Sequence, residues 1–298
     1  MKVYFFGGKG GVGKTTLSSA YAVKLSEKGK RVLLISTDPA HSLSDIFNTP
    51  VEEEHKINEN LTLKEIDVEK SLREYTERIF ELSKAVLKPE SFKQLEGILH
   101  SLEESPGIED TVILEELTKE VVYKYKDYDT FVIDTAPTGH TLGLLKTVGK
   151  LSSFFGEVVK MKAKLEELKR ASGKEYISRS LEYIEERRKR FEEFSRIVYT
   201  SSEFIPVLTP EKLPIEETTR LVESLEHKGI KVNKAVINKV LPENPSDEFS
   251  KKRRENQEKY IKEIEERFKN LKRIYIPLME KDIVGYEELK KLSSLLTF

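Results

Sequence analysis

The chain has 298 residues, with 51 Lys and Arg against 52 Asp and Glu and a formal net charge of −1. So even a balance advertises no nucleic-acid or anionic-membrane partner through bulk charge, and the absence of any cysteine excludes disulfides and every thiolate site for a metal or redox group. The length suits one large domain, or one carrying a subdomain, with a core large enough to fold without a structural metal.

Met1-Lys2 leads directly into Val3-Tyr4-Phe5-Phe6, an apolar run too short for a signal peptide and right for a buried strand. No stretch reaches the length of a transmembrane helix, and the expected location is cytoplasmic. After a group of glycines, Leu17, Ala20, Tyr21 and Leu25 recur at helical spacing, with Lys24, Glu27 and Lys28 on the wet face. Arg31 to Ile35 predicts the next strand, which ends at Ser36-Thr37-Asp38. A strand–helix–strand unit of this length reads as a parallel pair with a right-handed crossover.

Two segments, Glu69 to Tyr128 and Lys146 to Ser195, are charged, helical in period and without strand signals. Pro106-Gly107 divides the first, and Ile108, Val112, Ile113, Leu117, Val121 and Val122 form one stripe after it. In the second, Leu151, Phe154, Phe155, Val158, Val159, Leu165 and Leu168 recur in the same way. They predict a helical subdomain formed by insertions at about 69–128 and 146–195 within a single domain spanning 1–298.

Further buried strands are predicted at Thr130 to Ile133, Phe204 to Leu208 (weakened by Pro206), Lys234 to Ile237 and Ile274 to Ile276. Each precedes a turn or helix signal, at Pro137, Pro210, Asn238 and Pro277 respectively. The last helix, with Leu289, Leu292, Leu295, Leu296 and Phe298, is expected to pack on the sheet, because Lys290 and Lys291 are its only basic residues. The fold class is α/β: an open, mostly parallel sheet with helices on both faces, plus the inserted helical subdomain.

Gly8-Lys9-Gly10-Gly11-Val12-Gly13-Lys14-Thr15 stands between the first strand and the first helix, the context a phosphate-binding loop requires. Its glycines let the backbone wrap phosphate oxygens with amide N–H groups inward, and the following helix adds its positive dipole end. Lys14 is placed to neutralise the β- and γ-phosphates and the Thr15 hydroxyl to ligate Mg²⁺, with Thr16 beside it. These residues alone point to a Mg²⁺-dependent ATPase of the P-loop class. Asp38 and Asp134 both follow strands, at the carboxyl ends where open α/β sheets place ligands.

The second lysine of the loop, Lys9, resembles the signature of the ParA, MinD and ArsA branch of P-loop NTPases. Asp38-Pro39-Ala40-His41-Ser42-Leu43-Ser44-Asp45 and Asp134-Thr135-Ala136-Pro137-Thr138-Gly139-His140-Thr141 narrow the likeness. They resemble the two switches of the ArsA family, which contains the arsenite-pump ATPase and the targeting ATPase for tail-anchored membrane proteins. Pro106-Gly107-Ile108-Glu109 and Pro210-Glu211-Lys212 followed by Ile215-Glu216-Glu217-Thr218 are also similar to family segments, so the likeness covers nearly the whole chain.

The resemblance implies that Asp38 orients the attacking water, that Asp134 holds Mg²⁺ through water, and that Lys9 reaches the nucleotide of an opposite subunit. It also implies that Asn238 reads the adenine, with Pro277 in an adenine loop. The plain alternatives are a solvated loop charge for Lys9, a turn or capping role for either aspartate, and a strand-end turn for Asn238. His41 and His140 read as hydrogen-bonded switch residues, since no His-x-x-x-His or Glu-x-x-His cluster accompanies them.

The same resemblance implies a homodimer closed by ATP that captures hydrophobic transmembrane segments and delivers them to the membrane, with a membrane receptor. The rival readings are an energiser of metalloid efflux and a ParA-like or MinD-like positioning ATPase. Without cysteine, a thiolate As(III) site is impossible, and so is the zinc clamp that eukaryotic targeting ATPases build from Cys-x-x-Cys. No zinc and no nucleic acid are expected. The stretch matching that clamp, Glu248 to Arg254, is a basic run on a predicted helix.

Overall fold

The computed structural model describes residues 1–38, 42–51, 54–84, 92–103, 107–135, 179–243 and 247–297. The chain divides into two compact units, one of Met1–Ile66, Tyr125–Leu142 and Ile197–Phe298, the other of Asp67–Lys124 and Gly143–Arg196.

The first unit is built on a sheet of β1 (Lys2–Gly7), β2 (Val32–Ser36), β3 (Glu54–Asn58), β4 (Leu61–Glu65), β5 (Thr130–Asp134), β6 (Ser202–Leu208), β7 (Lys234–Val240) and β8 (Lys272–Pro277). Its order is β3-β4-β2-β5-β1-β6-β7-β8. Every neighbouring pair is parallel except β3 with β4 at one edge. Val32–Ser36 and Thr130–Asp134 are buried along their whole length, as strands are when a parallel sheet is covered on both faces.

Helix α1 (Lys14–Glu27) carries almost no amphipathic stripe because it too is covered on both sides, with Leu17, Ala20, Tyr21, Ala22 and Val23 all buried. Helix α2 (Ser42–Phe47) follows β2, and α3 (Val68–Lys84), α4 (Phe92–Glu103) and α5 (Ile108–Tyr123) come next. After them come α6 (Arg179–Ser201), α7 (Lys212–Glu226), α8 (Glu248–Arg267) and α9 (Tyr286–Leu295). Leu289, Leu292 and Leu296 of the last segment share one core with Leu17 of α1 and with Leu34 and Val236 of the sheet. Lys24 of α1 donates to the carbonyls of Ser293 at 3.1 Å and Leu296 at 2.6 Å, closing the carboxyl end of α9. Leu295 points outward, contrary to its place in the predicted stripe.

The hairpin β3–β4 adds to the predicted strands; its inner strand is a short alternating run in which Leu61 and Leu63 are buried between half-buried neighbours. One expectation needs correction. The first helical insertion stops at Tyr123 rather than Tyr128, because Tyr125 to Asp127 form a turn.

In the second unit, α5 starts after Gly107, which adopts φ 85. Its residues Ile108, Val112, Ile113, Leu117 and Val121 are buried. The same helix buries Glu115, which pairs with Arg187 and, at 2.8 Å, with Arg190 of α6. The Arg187 guanidinium also lies 5.1 Å from the Tyr75 ring centre. The second predicted stripe, from Leu151 to Leu168, lies outside the described residues.

Candidate functional site

The parallel register brings three strand ends together. Asp134 stands opposite Phe6 of β1 on one side and Ser36 of β2 on the other. Thr135 N–H donates to the Phe6 carbonyl at 3.1 Å and Thr37 N–H to the Asp134 carbonyl at 3.0 Å. Gly10, Gly11 and Gly13 of the loop and Asp38 after β2 line one open cleft of about 550 Å³, while Asp134 at the end of β5 is buried behind Thr15, which also lines it.

The loop's shape is set by what crowds it. A Cβ at Gly8 would meet the Val207 carbonyl of β6 at 2.1 Å, so no side chain fits where the loop leaves the sheet. Gly13, at φ 95, opens α1, and a Cβ there would lie 2.4 Å from the Asn238 amide nitrogen. Gly10 and Gly11 face open space instead and line the cleft. Helix α1 has no side-chain cap and no acidic residue in its first turn, so its amino end presents uncapped N–H groups beside that opening.

Lys14 is 6% exposed and donates to the Lys9 carbonyl at 3.3 Å. Burial pushes its ammonium below the usual lysine range, against the opposing pull of the Asp134 and Asp38 carboxylates. Asp134 is fully buried, and desolvation raises its carboxyl to about 7 although the Thr15 hydroxyl and Lys14 both favour the charged form. Thr15 Oγ1 donates to Asp134 Oδ2 at 2.7 Å and lies 3.5 Å from the Ser42 hydroxyl. Asp134 Oδ1 is buried and has no hydrogen-bond partner among the described residues. A carboxylate held out of water with one oxygen unused, bonded through the other to a threonine hydroxyl, is a donor set suited to a hydrated Mg²⁺.

Every predicted site residue except Gly8, Lys9, Val12 and Asp134 lines this cleft: Gly10, Gly11, Gly13, Lys14, Thr15, Thr16, Asp38, Asn238 and Pro277. Val12 is buried behind the loop, and Gly8 backs onto β6. Lys9 is about one-third exposed and pairs with Glu217 of α7 at 3.4 Å. Asn238 spends one amide hydrogen on the Val12 carbonyl at 2.9 Å. Leu278 and Met279 follow Pro277 along the rim, both partly exposed, as an apolar wall suited to a flat ring. His41 and His140 lie outside the described residues.

Three contributors escaped the sequence reading. Glu65, at the end of β4, accepts from Leu43 N–H at 2.7 Å and Ser44 N–H at 3.1 Å, holding the start of α2 from another strand. Lys239 donates to the Gly11 carbonyl at 2.9 Å. Glu217 engages Lys9, a pairing that its place in a family-like segment does not announce. None has a local signature, since each depends on which strand end or helix start lies alongside.

Among the described residues no helix is long and apolar enough to cross a membrane. The anion-transporting ATPase family matches residues 1–297. A protein of Aquifex aeolicus, provisionally named arsenical pump-driving ATPase 2, is 61% identical over 296 residues, 99% of each chain. The ATPase GET3 of Podospora anserina is 34% identical over 314 residues, 98% of this chain and 89% of that one. An ATPase ASNA1 homolog of Entamoeba histolytica is 31% identical over 319 residues, 98% of this chain and 93% of that one. With a family match that runs nearly end to end and relatives of similar length aligned over almost all of it, the chain belongs to the ArsA family of anion-transporting ATPases and is itself an ATPase.

Proposed function

We propose that this ATPase closes as a homodimer around ATP and uses the cycle to capture hydrophobic transmembrane segments, such as those of tail-anchored proteins, and release them at a membrane. The observation that carries the reading is chemical: the chain has no cysteine, so the thiolate metalloid site of the pump branch cannot form in it. Relatives named GET3 and ASNA1, aligned over 98% of the chain, support the same side of the family.

In this reading the α1 amino end and the amides of the Gly10–Gly13 loop bind the phosphates, with Lys14 among them. Thr15, and Asp134 through water, would hold Mg²⁺, which when bound would offset phosphate charge. Asp38 orients water for attack on the γ-phosphorus, ADP departing as the bond to its β-phosphate oxygen breaks. Lys9 leaves Glu217 to reach the partner's phosphates. Asn238 and the wall beginning at Pro277 take the adenine. The two-unit division is read as an ATPase core carrying a helical subdomain that serves the client.

The test is capture. Purified chain with Mg²⁺ and a non-hydrolysable ATP analogue is crosslinked to a tail-anchored helix, alongside Phe155→Asp. Because α5 commits its apolar residues to the interior, the second predicted stripe at Phe154, Phe155, Val158 and Val159 is where the variant belongs. Capture by the native chain and loss in a stable, ATPase-competent Phe155→Asp support the reading; no capture by the native chain defeats it. The 61%-identical relative's name favours the second reading, an energiser of metalloid efflux. Stimulation of turnover by arsenite or antimonite in the absence of any helix would favour that one instead.

A further inference from the structure

We propose that Lys239 is a positioning residue of the nucleotide site, clamping the phosphate-binding loop through a bulge in β7. The proposal rests on reading the cleft as the ATP site. Strands β7 and β8 run in register to Ile237 opposite Tyr275 and resume at Val240 opposite Pro277, so β7 carries one residue more across the interval. Such a bulge re-aims side chains, here those of Asn238 and Lys239.

Lys239 adopts φ 58, in the left-handed region. Asparagine and aspartate tolerate that region through short local hydrogen bonds, which a lysine side chain cannot make. The conformation persists only because surrounding contacts over-determine it. The buried amide of Gln257 on α8 accepts from Leu241 N–H at 2.8 Å and donates to the Lys239 carbonyl at 3.0 Å, bridging the gap in the ladder. Arg254 adds a bond to the Leu241 carbonyl at 2.9 Å.

The consequence falls on the loop. Lys239 Nζ holds the Gly11 carbonyl and Asn238 Nδ2 the Val12 carbonyl, both at 2.9 Å. In a trans peptide the carbonyl and the next residue's N–H point in opposite directions. Pinning these two carbonyls toward β7 therefore turns the N–H groups of Val12 and Gly13 away from it, as a loop that grips phosphate through its amides requires. Lys239 thus acts on the nucleotide through Gly11 and, being cationic, adds positive charge at the rim. Its side chain is exposed and lines the cleft.

The experiment measures ATP and ADP affinity by calorimetry with Mg²⁺, and steady-state kinetics, on the full chain. The variants are Lys239→Met, Lys239→Arg, Lys239→Gly, Gln257→Glu and the Lys239→Met/Gln257→Glu double, with Lys14→Ala as reference. Lys239→Met is expected to weaken ATP and ADP alike by about five- to tenfold, as losing one charge-assisted bond does, with KM rising more than kcat falls. Lys239→Arg should restore most of the affinity. Lys239→Gly should melt no lower than the native chain, its left-handed strain relieved, and still bind weakly. The double variant should lose less than the product of the two single losses, because both act through one bulge.

Native affinity in Lys239→Met or Lys239→Gly, failure of Lys239→Arg to restore it, or multiplicative losses overturn the proposal. If Lys14→Ala loses affinity while Lys239→Met does not, the ATP site stands and only the role of Lys239 is lost. If Lys14→Ala also binds normally, the ATP reading of the cleft fails and this inference with it.

Discussion

Asp134 is fully buried, and its behaviour with pH follows from that. In the unfolded chain it titrates near 3.8 and in the fold near 7. Between those values the folded chain keeps a proton that the unfolded chain has released, so stability from this group falls as pH rises and the loss is complete above about 7. Asp134→Asn should therefore raise the melting temperature of the nucleotide-free chain at pH 8 and leave it nearly unchanged at pH 4, while Mg²⁺-supported turnover collapses. Calorimetric melts at the two pH values check this; an equal gain at both, or a fall at pH 8, contradicts it. Under the proposed function, Asp38 serves the chemistry and Lys14 the binding. Asp38→Asn should keep ATP affinity while turnover falls by roughly 100-fold or more, the scale of a lost positioning group. Lys14→Ala should lose affinity first. Near-native turnover in Asp38→Asn would remove that residue from the mechanism.

At the scale of elements, the helical unit combines an apolar stripe with a buried ion cluster. Glu115 accepts from Arg190 at 2.8 Å and pairs with Arg187, while Arg190 also donates to the Tyr123 hydroxyl at 2.8 Å. Removing the carboxylate strands two buried guanidinium groups, which costs far more than the pair contributes relative to an apolar replacement of the whole cluster. Glu115→Leu should thus lower unfolding stability by about 3–5 kcal/mol in urea titrations. A loss below about 1 kcal/mol would show that the arginines find water or other partners. The stripe on α5 was legible in the sequence because helical periodicity is local. The cluster was not, because Glu115 and Arg187 meet only through the packing of α5 against α6.

For the molecule as a whole, the pairing of Lys9 bears on assembly. Lys9 rests on Glu217 at 3.4 Å, both side chains about one-third exposed. An exposed pair of this kind contributes at most about 1 kcal/mol, so it tethers the lysine without locking it. Under the proposed dimer, Lys9→Ala should abolish association driven by Mg²⁺ and a non-hydrolysable ATP analogue. Glu217→Gln should strengthen that association by up to about fivefold, since the free lysine no longer exchanges one partner for another. Light scattering across a concentration series reads both. Association that survives Lys9→Ala, or that tracks zinc chelation rather than nucleotide, rules the arrangement out.

Local chemistry determined much by itself. The spacing of glycines and lysines between Gly8 and Thr15, with an apolar strand before it and a helix after, marks a phosphate-binding loop in the sequence, and the apolar runs at Val3–Phe6, Thr130–Ile133 and Lys234–Ile237 became strands of the sheet. The absence of cysteine closed off whole classes of chemistry. Tertiary structure alone decided which strand ends lie side by side, and so which carboxylate meets Thr15, since register joins residues 119 apart in the chain. It alone placed the one-residue bulge that turns Lys239 onto Gly11 and the β4 carboxylate that anchors α2. Sequence patterns record a residue's periodic neighbours, whereas burial, desolvation and hydrogen-bond partners belong to residues brought together by the fold.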